Sequence, residues 1–180
     1  MTCIIGIETK DGKVVIGGDT LGSNGHSSSE INESKVFSHS NMIFGYTSSF
    51  RFGQIVEVML DNNKIHTPQT KDTYKWMIGT FIPMLQSVLK ENEASTGVML
   101  VGVNGQLYNV QSDFSVLRNS SGFDSVGSGD TFAIGAVGFQ VLSHGKPENL
   151  EDANRLLKSV MQVVGTNCVS VSTRCNTVSL

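Results

Sequence analysis

Little in this chain belongs to the specialised protein classes. Its 180 residues hold three cysteines, Cys3, Cys168 and Cys175. The number is odd, and neither Cys-x-x-Cys nor Cys-His ligand spacing occurs. That argues against a disulfide framework or a zinc site and points to a reducing setting, the cytoplasm. No run of about 18 apolar residues occurs, and no basic segment followed by an apolar core opens the chain, so neither a membrane span nor a secretory signal is expected. Charge is sparse, with 16% charged residues and a net of -3. No aromatics interleave with Lys or Arg, which removes electrostatic support for nucleic acid or an anionic membrane as partner. Prolines number three, and no low-complexity tract, linker or internal repeat divides the chain. The four histidines, His26, His39, His66 and His144, stand far apart in polar surroundings and read as surface residues rather than metal ligands. Gly127-Ser128-Gly129 lacks the lysine and spacing of a phosphate loop, so no cofactor is expected.

What is present is an ordinary globular composition, 39% hydrophobic, sufficient for one domain over 1–180. Thr2 to Ile7 and Val14 to Asp19 read as two strands around an Asp11-Gly12 turn. The polar Gly22-to-Glu30 stretch reads as a loop. Lys35 to Phe37 and Asn41 to Thr47 predict a second strand pair. From Ser48-Ser49 onward, either of which can cap a helix, apolar residues at Phe52, Ile55, Val56, Val58 and Met59 recur at helical spacing. A second helix is predicted from near Asp72, with Pro83 bending or restarting it. Val98 to Val103 and Leu107 to Val110 flank an Asn104-Gly105 hairpin turn. Phe114 to Leu117 and Phe123 to Val126 extend the sheet. Helices are then predicted from Thr131 to Ser143, with small residues (Ala133, Gly135, Ala136, Gly138) suited to close packing, and from Asn149 to Val164. A last strand is predicted over Cys168 to Ser172. Such segregated blocks favour an α+β layered domain, and near-continuous apolar strands favour sheets covered on both faces.

Thr2, directly after Met1, opens the first strand. If Met1 is removed, this residue carries a hydroxyl and a free α-amine, a nucleophile and base in one, since an α-amine titrates at about 7.7–8.0. A chance Met-Thr start is the plain alternative. Further along stand Val14-Val15-Ile16-Gly17-Gly18-Asp19, Ser34-Lys35-Val36 and Val126-Gly127-Ser128-Gly129. In this order and at these separations the motifs resemble the proteasome β-subunits and HslV-type peptidases, which are N-terminal nucleophile hydrolases. The resemblance covers most of the chain and implies a four-layer αββα sandwich of two mostly antiparallel sheets flanked by helix pairs.

It also implies roles. Thr2 Oγ would attack a peptide carbonyl, Lys35 would lower the pKa of the threonine groups, Asp19 would hold Lys35, and Ser128 would serve the terminal amine. Taken singly, Lys35 also fits a solvated strand edge, Asp19 a turn end and Ser128 a helix cap. The resemblance places an oxyanion donor at the Ser48 N–H, provided φ there is not positive. It places Tyr46 at a pocket floor, where a plain core aromatic is the alternative, and Gly129 in the oxyanion and substrate pocket. A bracing Asp-x-x-Ser is replaced by Asn167 and Ser170, which keep the spacing without the charge. Matching Thr2 and Asp19 together requires one extra residue in the hairpin; without it Cys3 would occupy the nucleophile position. The implied assembly is a homo-oligomeric ring or double ring acting on unfolded polypeptide, with an ATP-dependent unfoldase as partner. Two other readings keep the fold: a catalytically silent ring subunit, and an amidohydrolase acting on a small amide.

Overall fold

The computed structural model describes residues 2–23, 26–62, 68 and 72–180. Met1, the Asn24-Gly25 pair and His66 lie outside them. The first two strands, β1 (Cys3–Glu8) and β2 (Val14–Asp19), are buried along their whole length. Their hairpin closes where the Thr9 N–H donates to the Lys13 carbonyl and Gly12 takes φ +80, a three-residue loop ended by a left-handed residue. The stretch read as a loop is partly paired: β3 (Leu21–Ser23) and β4 (Ser28–Glu30) form a two-stranded ladder. Their short Gly- and Ser-containing sequence carries no apolar alternation to reveal it.

A second hairpin follows, β5 (Val36–His39) and β6 (Met42–Thr47). Helix α1 (Phe50–Asn62) then begins with Ser49 Oγ accepting from the Phe52 N–H at 3.4 Å, so Ser49 rather than Ser48 is the cap. Asp72 caps α2 (Thr73–Trp76), which runs through a π-helical turn, Met77–Phe81, into α3 (Ile82–Glu91). Pro83 falls in the first turn of α3, where the α-helix restarts after the π-helical turn, as its position predicts. The Ile82 N–H donates to the Met77 carbonyl, and this five-residue step widens the helix where proline cannot donate.

Strands β7 (Val98–Val103) and β8 (Gln106–Val110) flank a turn with Asn104 and Gly105 both at positive φ. The next two strands part company: β9 (Val116–Leu117) joins β8, whereas β10 (Phe123–Gly127) crosses to β1. Helices α4 (Asp130–His144) and α5 (Leu150–Asn167) follow, the latter capped by Asn149. Of the small residues in α4, Ala133 is buried and Gly138 faces the Phe123 ring, but Gly135 is open to solvent. Cys168 to Ser172 is not a strand. The Val171 N–H donates to the Cys168 carbonyl in a turn, and the last strand is β11 (Cys175–Ser179), whose polar sequence pairs along β2.

Two antiparallel sheets result, ordered β10-β1-β2-β11 and β5-β6-β7-β8-β9. Ile4, Ile16, Val36, Ile43, Leu100 and Val126 pack between them. The other face of the first sheet packs on α4 and α5 through Ile5, Ile7, Leu157 and Met161. The other face of the second packs on α1 and α3 through Phe44, Phe52, Phe81 and Leu85. No helix among the described residues is long and apolar enough to cross a membrane.

Glu8 ties the sheets at one end. Its carboxylate accepts from the Leu107 N–H at 3.0 Å, from Arg118 at 3.0 Å and from Lys146 at 3.3 Å. Burial works against the charge, but the bonds from Leu107 and Arg118 outweigh it and hold the carboxyl below its ordinary 4.5. A lowered folded pKa stabilises the fold above the unfolded value and loses that contribution as pH falls through the folded one. Urea midpoints of the wild type and Glu8→Gln are therefore expected to differ at pH 7 and to converge below pH 4.5.

Candidate active site

Strand alternation decides which N-terminal residue can reach the site. Cys3 is fully buried and packs with Ile5 and Ile7 toward the helices, while Ile4 faces the second sheet. Burial pushes the Cys3 thiol up to about 12, so it is neither exposed nor ionised. Thr2, not Cys3, lines a recess of about 60 Å³ with Lys35, Tyr46, Ser48 and Phe50.

Lys35 enters from the turn before β5 and its side chain is 1% exposed. Its ammonium donates to Asp19 Oδ1 at 2.8 Å and to the Leu21 carbonyl at 2.7 Å, and lies 5.9 Å from the Phe50 ring centre. Asp19, ending β2 with its side chain at 0% exposure, accepts also from the Cys3 N–H at 2.9 Å, the Leu21 N–H at 3.1 Å and the Ser172 N–H at 3.3 Å. Four donors thus compensate the buried carboxylate, the condition under which such a pair is tolerated. Solvated-edge and turn-end roles for Lys35 and Asp19 are overturned by this burial. Glu30, on the unexpected β4, accepts from the Thr20 and Ser172 hydroxyls and so fixes the loop that supplies the Ser172 N–H.

Around the threonine nitrogen runs a second set of contacts. Ser128 Oγ accepts from the Thr2 N–H at 3.2 Å and lies 3.0 Å from Ser170 Oγ, which lies 3.1 Å from Cys168 Sγ. Gly127 makes this approach feasible: at φ +105, a Cβ there would fall 2.2 Å from the Thr2 carbonyl oxygen. Ser128 does not cap α4, whose cap residue is Gly129, with no side-chain bond. Gly129 is displaced from the role expected of it, because its N–H donates to the Thr2 carbonyl at 3.3 Å and it does not line the recess. Asn167 is no brace either. Its amide donates to the Val163 carbonyl of its own helix at 2.8 Å, on the exposed side, while Ser170 turns inward and is 6% exposed.

Ser48 departs from the condition set by its sequence position, for its φ is +81. That left-handed conformation costs a non-glycine residue about 1–2 kcal/mol, and it gives Ser48 the backbone direction a glycine would take. Tyr46 is buried and lines the recess, its ring blocking any Cβ at Gly53; burial pushes its hydroxyl up to about 12. The N-terminus of α1 opens beside these residues, adding a partial positive charge.

Sequence reasoning missed Cys168, which carried no ligand spacing and sat in an alternating stretch that imitates a strand. Cys3 and Cys175 both have thiols raised to about 12, chiefly by burial, and Cys168 is partly exposed. Iodoacetamide is therefore expected to modify Cys168 first, as peptide mapping over a time course will read. Among the described residues no three of His, Cys, Asp and Glu gather as a metal site.

No family model and no curated protein sequence matches the chain. Solved structures do. BPH of Thiobacillus denitrificans, one of whose structures is in complex with epoxomicin, superposes with TM-score 0.78 at 16% identity, covering 98% of this chain and 97% of its own. HslV of Trypanosoma brucei gives TM-score 0.68 at 18% identity, covering 99% of each chain. The chain has the HslV-type fold. A Gly-1 mutant of Anbu from Hyphomicrobium sp. strain MC1 aligns at TM-score 0.71 and 9% identity over 98% of this chain and 80% of that one. At such identities the shared property is the fold, and the proteasome and HslV resemblance read from the motifs holds at that level.

Proposed function

We propose that this HslV-type chain is a threonine peptidase, a single N-terminal nucleophile hydrolase domain in which Thr2 acts once Met1 has been removed. The observation that carries the reading is the buried Lys35, held by Asp19, on the wall of the same recess as Thr2. A lysine ammonium is taken from water at considerable cost, and Lys35 is accompanied there by Thr2, by Ser48 in a strained turn and by a helix N-terminus. In the proposed reaction, Thr2 Oγ bonds to the acyl carbon while its proton passes to the α-amine. The oxyanion meets the positive end of α1. The carbon–nitrogen bond breaks as the proton is delivered to the leaving amine, with Ser128 and Ser170 fixing the α-amine. Water then hydrolyses the ester and restores Thr2. Lys35 favours the deprotonated forms of both threonine groups throughout.

The same reading takes the two sheets and their helix pairs as the four-layer αββα sandwich and carries the implied assembly with it: a cytoplasmic homo-oligomeric ring, unfolded polypeptide as substrate and an ATP-dependent unfoldase as partner. The outward aim of Asn167 favours a second reading, a silent ring subunit, because no carboxylate takes the bracing position. Epoxomicin, held by BPH in one of its structures, separates the two. The intact mass of the native protein is expected to lack Met1 and to gain one epoxomicin on Thr2, with no gain in Thr2→Ala. Quantitative retention of Met1 would sink the peptidase and leave the silent subunit.

A further inference from the structure

Thr47 and Ser48 separate two depressions of very different size and chemistry. On the Tyr46 side lies the recess of about 60 Å³ containing Thr2 and Lys35. On the other side, sharing Thr47 and Ser48 as a wall, is a depression of about 350 Å³ into which Asn109, Gln111, Ser125 and Asp130 are set. Gly127 borders it, so the larger depression begins one backbone away from the Thr2 carbonyl.

Several of its donors are already engaged, and its charge is negative. Ser125 Oγ donates to the Ile4 carbonyl at 2.7 Å, the Asn109 amide to Asp124 at 3.0 Å, and the Gln111 amide to Asn109 at 2.6 Å. Asp130 Oδ1 takes the Thr131 N–H and hydroxyl. Gln111 Oε1 and Asp130 Oδ2 have no partner among the described residues. Among the described residues Asp130 is the one charged side chain on the wall and no Lys or Arg lines it, while Asp124 stands behind Asn109. A donor-rich cation suits such a surface.

Position says which substrate residue would enter. Consecutive side chains of an extended chain point to opposite sides, so the residues flanking a cleaved bond would fall one into each depression. The larger depression is bordered by Gly127, next to Ser128, where the leaving amine would receive its proton. Resting on the peptidase reading above, we propose that this pocket is the subsite for the residue on the leaving-amine side of the cleaved bond, and that it selects lysine or arginine there.

The test uses two internally quenched peptides differing only by Lys or Glu at that residue, together with an aminocoumarin amide of the same acyl half, which has no leaving-side residue. The wild type is expected to cleave the Lys peptide with a kcat/KM about tenfold above the Glu peptide, the scale of exchanging an attractive for a repulsive partly exposed contact. Asp130→Asn is expected to lower that ratio and Asp130→Lys to invert it. Neither should alter turnover of the aminocoumarin amide, which Thr2→Ala abolishes. Equal rates on the two peptides, or a ratio indifferent to Asp130→Lys, with the amide still cleaved, overturns the subsite and leaves the peptidase standing. Failure of the wild type to cleave any of the three overturns both.

Discussion

Replacing Lys35 with methionine is expected to abolish peptide turnover and to destabilise the fold, two effects that arise from one buried charge. The methylene stem packs as before, but Asp19 is left at 0% exposure without its cation. Breaking a buried pair by removing one partner costs about 3–5 kcal/mol. The low end is expected here, because the N–H groups of Cys3, Leu21 and Ser172 still hold the carboxylate. Loss of a group that assists proton transfer lowers kcat/KM by about a thousandfold. Urea unfolding and turnover measured on the same preparation check both. The double variant Lys35→Met with Asp19→Leu separates them: it is expected to recover much of the stability, since an apolar pair can replace a buried ion pair, while turnover stays lost. Wild-type turnover by Lys35→Met would end the catalytic reading.

Thr2→Ala is expected to give the opposite combination, activity lost with stability nearly kept. Only a hydroxyl and a methyl are removed at the end of β1, and the backbone bonds to Ser128 and Gly129 remain. The unfolding midpoint should move by about 1 kcal/mol or less, while turnover falls to background because no atom is left to attack. Thr2→Ser keeps the nucleophile and should keep measurable activity. Cleavage by Thr2→Ala at the wild-type rate would show that the hydroxyl is not the nucleophile.

Local features were legible where chemistry is local. The Asn104-Gly105 turn, the apolar strands and the amphipathic stripes of α3 and α5 follow from backbone preference and periodicity, which neighbours in sequence set for themselves. The strand assigned to Cys168–Ser172 failed because its alternation arises from inward serines and not from pairing, and β11 escaped notice because a polar edge strand has no apolar signature. Pro83 predicts a bend or restart, and α3 begins beside it, but the π-helical turn before it has no residue-by-residue signature.

At the site the division is sharper. Sequence alone determined that a threonine follows Met1 at the head of a strand, that an aspartate and a lysine follow sixteen residues apart, and that a Gly-Ser-Gly precedes the helix α4. Spacing along a chain says nothing of which face a strand turns inward, and only the packing shows Cys3 turned against the helices and Thr2 set on the recess. Likewise Asn167 and Ser170 keep an expected spacing, but the end of α5 turns one outward to its own helix and the other inward to Ser128. The tertiary structure decided these because burial and hydrogen bonding join residues more than a hundred positions apart, as Thr2 and Ser128 are joined, and no local pattern records that meeting.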